Sequence, residues 1–260
     1  MRKLSLRKTL FILPNLLTLL SVLCGYNAVL LCAGQPTDDD FYRAALLIVF
    51  AMFFDTIDGR VARLTKTQSA LGVQLDSLAD VLSFGMAPAV LVHRWSLHAL
   101  GTAGLLIAFG YLACGTIRLA RFNVISTTTS GAPKKPGKYI LGLPIPAAAG
   151  ILISIVVAHT LTGHLSSAPP FIALVVVALS FFMVSTIRFR SFKDLKLSWR
   201  TGVLVALAIG STVFVAVRFH PSMALVWLVA SYVTIGLVEA ILRIARRLSG
   251  HEEPKESEAD

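Results

Sequence analysis

The chain has 260 residues, of which 55% are hydrophobic and only 15% are charged, and its mean hydropathy is +0.75. This composition excludes an ordinary soluble domain, in which about a quarter of the residues are charged. The formal net charge of +10 could suggest nucleic acid as a partner, but no basic soluble face is visible. We therefore interpret the charge as a signal of membrane topology and of attraction to anionic lipid headgroups.

Eight apolar segments predict membrane-spanning helices. They cover residues 10–32, 41–57, 78–95, 101–117, 143–159, 169–187, 202–217 and 221–242. If the N-terminus is cytoplasmic, every Lys and Arg except Arg43, Arg94 and Arg218 falls on the cytoplasmic side, where such residues are enriched. The sequence therefore predicts an all-α, polytopic membrane helix bundle of about eight transmembrane helices, with both the N- and the C-terminus cytoplasmic.

The two ends of the chain differ from this apolar body. Residues 1–9 form a basic juxtamembrane segment, which is either a short surface helix or a plain topology signal. We interpret the apolar run after it as a retained membrane anchor rather than a cleaved signal peptide. Residues 243–260 form a charged cytoplasmic tail that we expect to be disordered at its end. Three cysteines lie in predicted spans without paired spacing, which indicates core residues rather than metal ligands or disulfide partners. They are Cys24, Cys32 and Cys114.

The most polar part of the apolar body is the stretch DTIDGRVARLTKTQSALGVQLDSLAD, which runs from residue 55 to residue 80. Asp55 and Asp58 are three residues apart, and Asp76 and Asp80 are four apart, so each pair falls on one face of a helix. We expect both pairs at the cytoplasmic ends of adjacent antiparallel helices, joined by a connection over residues 60–74. Aspartates inside a membrane helix are costly, and they indicate a functional site by default.

Four carboxylates in a nearly dry site repel one another strongly unless cations lie among them. Two divalent ions would neutralise their charge, and oxygen ligands alone favour Mg²⁺, Mn²⁺ or Ca²⁺ over zinc or copper. Two metals held by shared carboxylates can bind a diphosphate, and Arg63 adds a donor for phosphate. Because the site is expected at the membrane boundary, the substrate would be either an isoprenyl diphosphate or a lipid nucleotide diphosphate. Residue chemistry separates these two classes only weakly.

The same stretch resembles the CDP-alcohol phosphatidyltransferases at every fixed position of their signature, DxxDGxxARx8Gx3Dx3D. The matching residues are Asp55, Asp58, Gly59, Ala62, Arg63, Gly72, Asp76 and Asp80. Within that family the chain is most similar to the integral-membrane phosphatidylserine synthases, through the segments DSLADVLSFGMAPA, RLARFNV and GLPIPAAAG. The family resemblance implies a six-helix catalytic core over residues 10–187, followed by two additional transmembrane helices over residues 188–242.

The resemblance also implies an activity and a role for each matching residue. The activity would be transfer of the phosphatidyl group from CDP-diacylglycerol to L-serine, which gives phosphatidylserine and CMP. Two metal ions, either Mg²⁺ or Mn²⁺, would be held by Asp55, Asp58, Asp76 and Asp80. Asp80 would also take the proton from the acceptor hydroxyl. The residues implied to line the CDP site are Gly59, Ala62, Arg63 and Gly72. The protein would be a homodimer in a prokaryotic inner or plasma membrane, with its active site at the cytoplasmic face.

The acceptor is the least determined part of this prediction. Serine carries a carboxylate, for which Arg118 and Arg121, with Lys134 or Lys135, are candidate partners. Glycerol 3-phosphate would use the same residues, an inositol compound is a further alternative, and choline, which prefers an aromatic cage, is less well served. A membrane prenyltransferase is a more distant alternative, disfavoured by the four CDP-site residues at their family spacing. An ion-coupled transporter is disfavoured because the acidic residues lie at one membrane end rather than at mid-span.

Overall fold

The structure is a computed structural model, and it describes residues 6–65, 67, 69–126, 139–162, 168–185, 188–190 and 210. Several predictions lie outside these residues. They concern residues 1–5, Lys134 and Lys135, the span 202–217 apart from residue 210, the span 221–242 and the tail 243–260. For the rest, the structure confirms a helical protein with apolar helices long enough to cross a membrane.

Seven α-helices make up most of the described chain. They are α1 (Leu6–Cys32), α2 (Asp38–Leu64), α3 (Ala70–Asp80), α4 (Ala87–Trp95), α5 (Thr102–Ser126), α6 (Ile145–Thr162) and α7 (Pro169–Val184). A π-helix, Val81–Met86, joins α3 to α4, and a 3₁₀-helix, Leu97–Leu100, precedes α5. Three stretches within the described residues are long and apolar enough to span a membrane. These are Leu13–Cys32, Ala70–Trp95 and Thr102–Ile125.

The connection between α2 and α3 is much shorter than the predicted one over residues 60–74, so that prediction was wrong. Helix α2 continues to Leu64 and ends where the backbone N–H of Thr65 donates to the carbonyl of Val61. Helix α3 begins at Ala70, because the Ser69 hydroxyl accepts a hydrogen bond from the backbone N–H of Gly72 at 3.0 Å. An N-cap of this kind satisfies a backbone donor that has no partner within the helix. Both acidic pairs therefore lie on regular helices.

The π-helix begins directly after Asp80, and its backbone has a specific partner on α5. Pro88 has no N–H with which to bond the carbonyl of Phe84, four residues earlier. The hydroxyl of Tyr111, a fully buried side chain, donates to that carbonyl at 3.1 Å. Single π-helical turns inside α-helices are frequent at functional sites. The chain thus changes its helical winding at the end of the second acidic pair.

The structure adds one small β-pairing to the predicted all-α architecture. Strands β1 (Tyr139–Leu141) and β2 (Arg188–Arg190) pair antiparallel, with Tyr139 opposite Arg190. The first precedes α6 and the second follows α7. The backbone N–H of Leu143 also donates to the carbonyl of Phe182 at 3.0 Å, so these two chain segments run close together. Backbone groups that leave a helix need hydrogen-bond partners, and adjacent segments can supply them to each other.

Alanine is the most frequent residue in the core of the described chain, and its small side chain lets the helices approach closely. On α2 the alanines Ala44, Ala45 and Ala51 are completely buried. Helix α1 packs along α2 and also against α3, the π-helix and α4. A Cβ placed on Gly25 of α1 would lie 2.8 Å from the Cα of Ser83 in the π-helix, so only glycine fits at this contact. Close packing of this kind fixes α1 beside the helices that carry the aspartates.

Candidate active site

The acidic residues lie where the C-terminal part of α2 meets α3. One ligand oxygen each from Asp55, Asp58 and Asp76 can be chosen so that all three lie within 4.8 Å of one another. Asp58 is buried, with 3% of its surface exposed, whereas Asp55 and Asp76 are half-buried. Helical spacing places the first two on one face of α2, and the short connection turns α3 back so that Asp76 faces them. The structure therefore brings three of the four predicted metal ligands together.

Asp80, the fourth predicted ligand, lies one turn further along α3. Its carboxyl group lies beside that of Asp55 and within charge-interaction range of Asp76 and Arg118. The Oδ1 atom of Asp80 is buried and has no hydrogen-bond partner. A buried oxygen of this kind is costly unless another group binds it.

These observations fit a divalent cation. The donors are carboxylate oxygens, they converge from two helices, and one further buried oxygen beside them has no protein partner. Hard cations such as Mg²⁺ and Mn²⁺ prefer ligands of this type. The chain thus has a group of aspartates that can hold a metal ion.

Thr18, on α1, makes a contact with this cluster that was not predicted from the sequence. Its hydroxyl donates to Oδ2 of Asp58 at 2.6 Å, and only 5% of the Thr18 surface is exposed. The only sequence signal for it is a polar residue within the apolar run of the first span. Because α1 and α2 are adjacent, a threonine on α1 beside Asp58 can reach the carboxylate.

The four residues predicted for the CDP site lie on the same two helices, around the cluster. A Cβ on Gly59 would meet only the Arg63 guanidinium, at 3.6 Å, so this face of α2 is open. Gly72 is more crowded, since a Cβ there would lie 3.2 Å from Oγ of Ser69 and 3.4 Å from Oδ1 of Asn15. Ala62 is half-buried and Arg63 is exposed. Gly72 therefore has a packing reason as well as the implied ligand role.

The two arginines predicted for the acceptor have different surroundings. Arg118, on α5, is buried with 6% exposed, interacts with the charge of Asp80, and places its guanidinium 5.6 Å from the ring centroid of Phe122. Arg121 donates to the carbonyl of Val184 at 2.9 Å and to that of Ser185 at 3.2 Å. These carbonyls end α7, where cationic donors are favourable. Arg118 is therefore next to the acidic cluster, whereas Arg121 is engaged in holding α7.

A second polar link joins α5 to α3 beside the cluster. The side-chain amide of Asn123 donates to the hydroxyl of Ser77 at 2.9 Å, and Ser77 directly follows Asp76 in the chain. Asn123 belongs to the RLARFNV segment on which the narrower resemblance rests. Nothing in the spacing of the sequence indicates which residue it contacts. Only the packing of α5 against the site shows it.

Comparison with known proteins identifies the family of this chain. The model of the family described as CDP-alcohol phosphatidyltransferase matches residues 11–186, which include the acidic cluster and its neighbours on α1 and α5. The chain belongs to this family. The resemblance predicted from the signature is thereby confirmed, and the chain is a transferase.

Several relatives carry a more specific name. The CDP-diacylglycerol–serine O-phosphatidyltransferase of Helicobacter pylori (strain ATCC 700392 / 26695) is 36% identical over 233 residues, which cover 88% of this chain and 91% of the relative. The protein of the same name from Bacillus subtilis is 33% identical over 181 residues, 70% of this chain and 91% of the relative. An archaetidylserine synthase from Methanothermobacter thermautotrophicus is 36% identical over 179 residues, 68% of this chain and 69% of the relative.

Proposed function

We propose that this phosphatidyltransferase uses L-serine as its acceptor and makes phosphatidylserine and CMP from CDP-diacylglycerol. The observation that carries the proposal is the convergence of Asp55, Asp58 and Asp76 in a chain whose relatives are named as serine transferases. In the reaction, the serine hydroxyl oxygen forms a bond to the lipid-side phosphorus of the diphosphate. The bond from that phosphorus to the bridging oxygen breaks, and CMP leaves with the bridging oxygen and its electron pair.

We assign metal binding to the four aspartates, with two ions of Mg²⁺ or Mn²⁺. Asp55, Asp58 and Asp76 are supported by their converging oxygens, and Asp80 by its buried oxygen without a partner. When bound, the cations would neutralise the diphosphate and stabilise the negative charge that develops on the departing CMP. By holding these cations, the aspartates would orient the diphosphate.

Asp80 is the proposed general base. It has to accept the proton of the serine hydroxyl as the new bond to phosphorus forms, and the proton then resides on its carboxyl group. A base must lie within hydrogen-bond reach of the proton that it removes, and Asp80 adjoins both the cluster and Arg118. Histidine is not a competitor within the described residues, because His93 and His98 follow Asp80 by 13 and 18 residues and the ring of His159 contacts Trp95 at the end of α4.

The nucleotide and the acceptor would occupy opposite sides of the cluster. We assign the CDP moiety to Gly59, Ala62, Arg63 and Gly72, around the open face of α2. We assign the serine carboxylate to Arg118, which combines burial with closeness to Asp80. Arg121 is a weaker candidate, because its guanidinium already bonds two carbonyls. Arginine is suited to a carboxylate because its planar fork can donate two parallel hydrogen bonds.

The remaining topology is proposed on the same basis. The protein would cross the membrane about eight times, with both termini and the active site at the cytoplasmic face of a prokaryotic inner or plasma membrane. Residues 10–187 would form the catalytic core, with the segment 1–9 before it and the helices of 188–242 and the tail 243–260 after it. The distribution of Lys and Arg supports this orientation. A homodimer is proposed from the family resemblance alone.

The decisive experiment measures CMP release from CDP-diacylglycerol by the purified protein. L-serine, glycerol 3-phosphate, inositol phosphate and choline are offered separately, each with and without EDTA. We expect release with serine only, and its loss on chelation. Release with another acceptor would retain the site but refute serine as the acceptor. Consumption of an isoprenyl diphosphate instead would refute the phosphatidyltransferase reaction and favour the prenyltransferase.

A further inference from the structure

The Thr18 hydroxyl is close to two acceptors, and its contact with Asp58 is the shorter one. Oγ1 lies 2.6 Å from Oδ2 of Asp58 and 3.1 Å from the carbonyl oxygen of Pro14, one turn earlier on α1. A hydroxyl group has a single hydrogen to donate. A carboxylate takes it in preference to a carbonyl, because hydrogen bonds to charged acceptors are shorter and stronger.

The helix that carries Thr18 is fixed where it meets the site. One turn further along α1, the Ser21 hydroxyl contacts the Ser83 hydroxyl at 3.3 Å, and Ser83 donates to the Ser21 carbonyl at 3.1 Å. The side chains of Thr18, Ser21 and Ser83 are all buried. After another turn, Gly25 packs directly on the backbone of Ser83. Thr18 is therefore held at a set distance from the helices that bear the aspartates.

We propose that Thr18 is a positioning residue for metal binding, which acts by fixing the orientation of the Asp58 carboxylate. This inference rests on the proposed role of Asp58 as a metal ligand. The hydrogen bond restrains rotation of the carboxylate, so that it already faces Asp55 and Asp76 before a cation arrives. Hydrogen bonds to metal ligands generally affect metal affinity or activity by about 10- to 100-fold. Thr18 itself would touch neither the cation nor the substrates.

Thr160 on α6 provides a matched control. Its hydroxyl also donates to the carbonyl four residues earlier, that of Val156, at 2.9 Å, and its side chain is partly buried. It belongs to a helix that supplies none of the cluster residues. Thr160→Val removes a helical threonine hydroxyl without touching a carboxylate. Thr18→Val removes the same group together with the bond to Asp58, and Thr18→Ser keeps that bond.

The test measures Mn²⁺ binding to the full chain in detergent, without substrates, by electron paramagnetic resonance of the free ion. Thr18→Val should raise the dissociation constant for Mn²⁺ about 10- to 100-fold. Thr18→Ser and Thr160→Val should keep this constant within about 3-fold of the wild-type value. In an Asp58→Asn background, Thr18→Val should have little further effect, because the two residues act as one unit. Wild-type affinity in Thr18→Val, or no recovery in Thr18→Ser, would overturn the inference.

Two further measurements separate this inference from the proposed function and from misfolding. Thermal unfolding without metal reports whether each variant folds, and Thr18→Ala replaces Thr18→Val if the valine variant does not. CMP release with serine reports the proposed function independently of affinity. Normal Mn²⁺ binding in Thr18→Val together with serine-dependent CMP release in the wild type would refute only the role of Thr18. The proposed function would be kept. Absence of CMP release with any acceptor, together with a Thr18-dependent Mn²⁺ site, would refute only the proposed reaction.

Discussion

Tyr111→Phe tests the packing that supports the second acidic pair. The substitution removes one oxygen atom from a fully buried side chain and leaves the ring in place. The carbonyl of Phe84 then loses the donor that lies 3.1 Å away, and Pro88 cannot replace it because it has no N–H. A buried acceptor that loses its partner costs about 1 to 3 kcal/mol. Since the ring is retained, no large cavity forms to add to this loss.

The measurement is thermal unfolding of the purified protein in one detergent at one pH. A loss of about 1 to 3 kcal/mol lowers the midpoint by several degrees, since each kcal/mol corresponds to roughly 2 to 4 °C for a chain of this size. Tyr26→Phe is the matched control, because Tyr26 lies on α1 with 59% of its surface exposed. It should change stability by less than about 0.5 kcal/mol. Equal midpoints for the Tyr111→Phe variant and wild type would refute the reasoning about the π-helix.

Four further predictions concern the site and one helix start. Asp80→Asn should lower turnover by about 10²- to 10⁴-fold while leaving binding of CDP-diacylglycerol detectable, and unchanged turnover would exclude Asp80 as the base. Arg118→Ala should raise the serine KM more than it weakens binding of CDP-diacylglycerol, and the opposite pattern would assign Arg118 to the nucleotide lipid. Arg121→Ala should mainly lower the unfolding midpoint, because two carbonyls that end α7 lose their donor; a rise in serine KM at unchanged stability would restore it to the acceptor site. Hydrogen bonds from the Thr37 N–H and hydroxyl hold the pKa of Asp40 below its usual range, so their stabilisation is present at neutral pH and is lost as pH falls through the lowered pKa. Thr37→Ala should raise that pKa toward its ordinary value in a ¹³C NMR titration of the carboxyl group, and an unchanged pKa would assign the shift to the backbone bond alone.

Part of the site could be predicted from the sequence because it depends on local spacing. Residues three or four apart share a helix face whatever the tertiary fold, so Asp55 with Asp58, and Asp76 with Asp80, could be paired in advance. The short distance along the chain between the pairs predicted that the two helices are antiparallel neighbours. Oxygens of Asp55, Asp58 and Asp76 do converge. Helix lengths were less predictable, since the start of α3 depends on the Ser69 cap rather than on hydropathy.

Contacts between helices distant in sequence were decided only by the tertiary structure. Thr18 and Asp58 are 40 residues apart, and no periodicity relates them. The same holds for Arg121, which the sequence offered as an acceptor ligand and which the structure engages at the end of α7, 63 residues later. Composition and spacing determine which residues can share a helix face and which environment a helix needs. Which faces then meet depends on the close packing of small residues, such as Gly25 on Ser83, and this complementarity exists only once the helices are assembled.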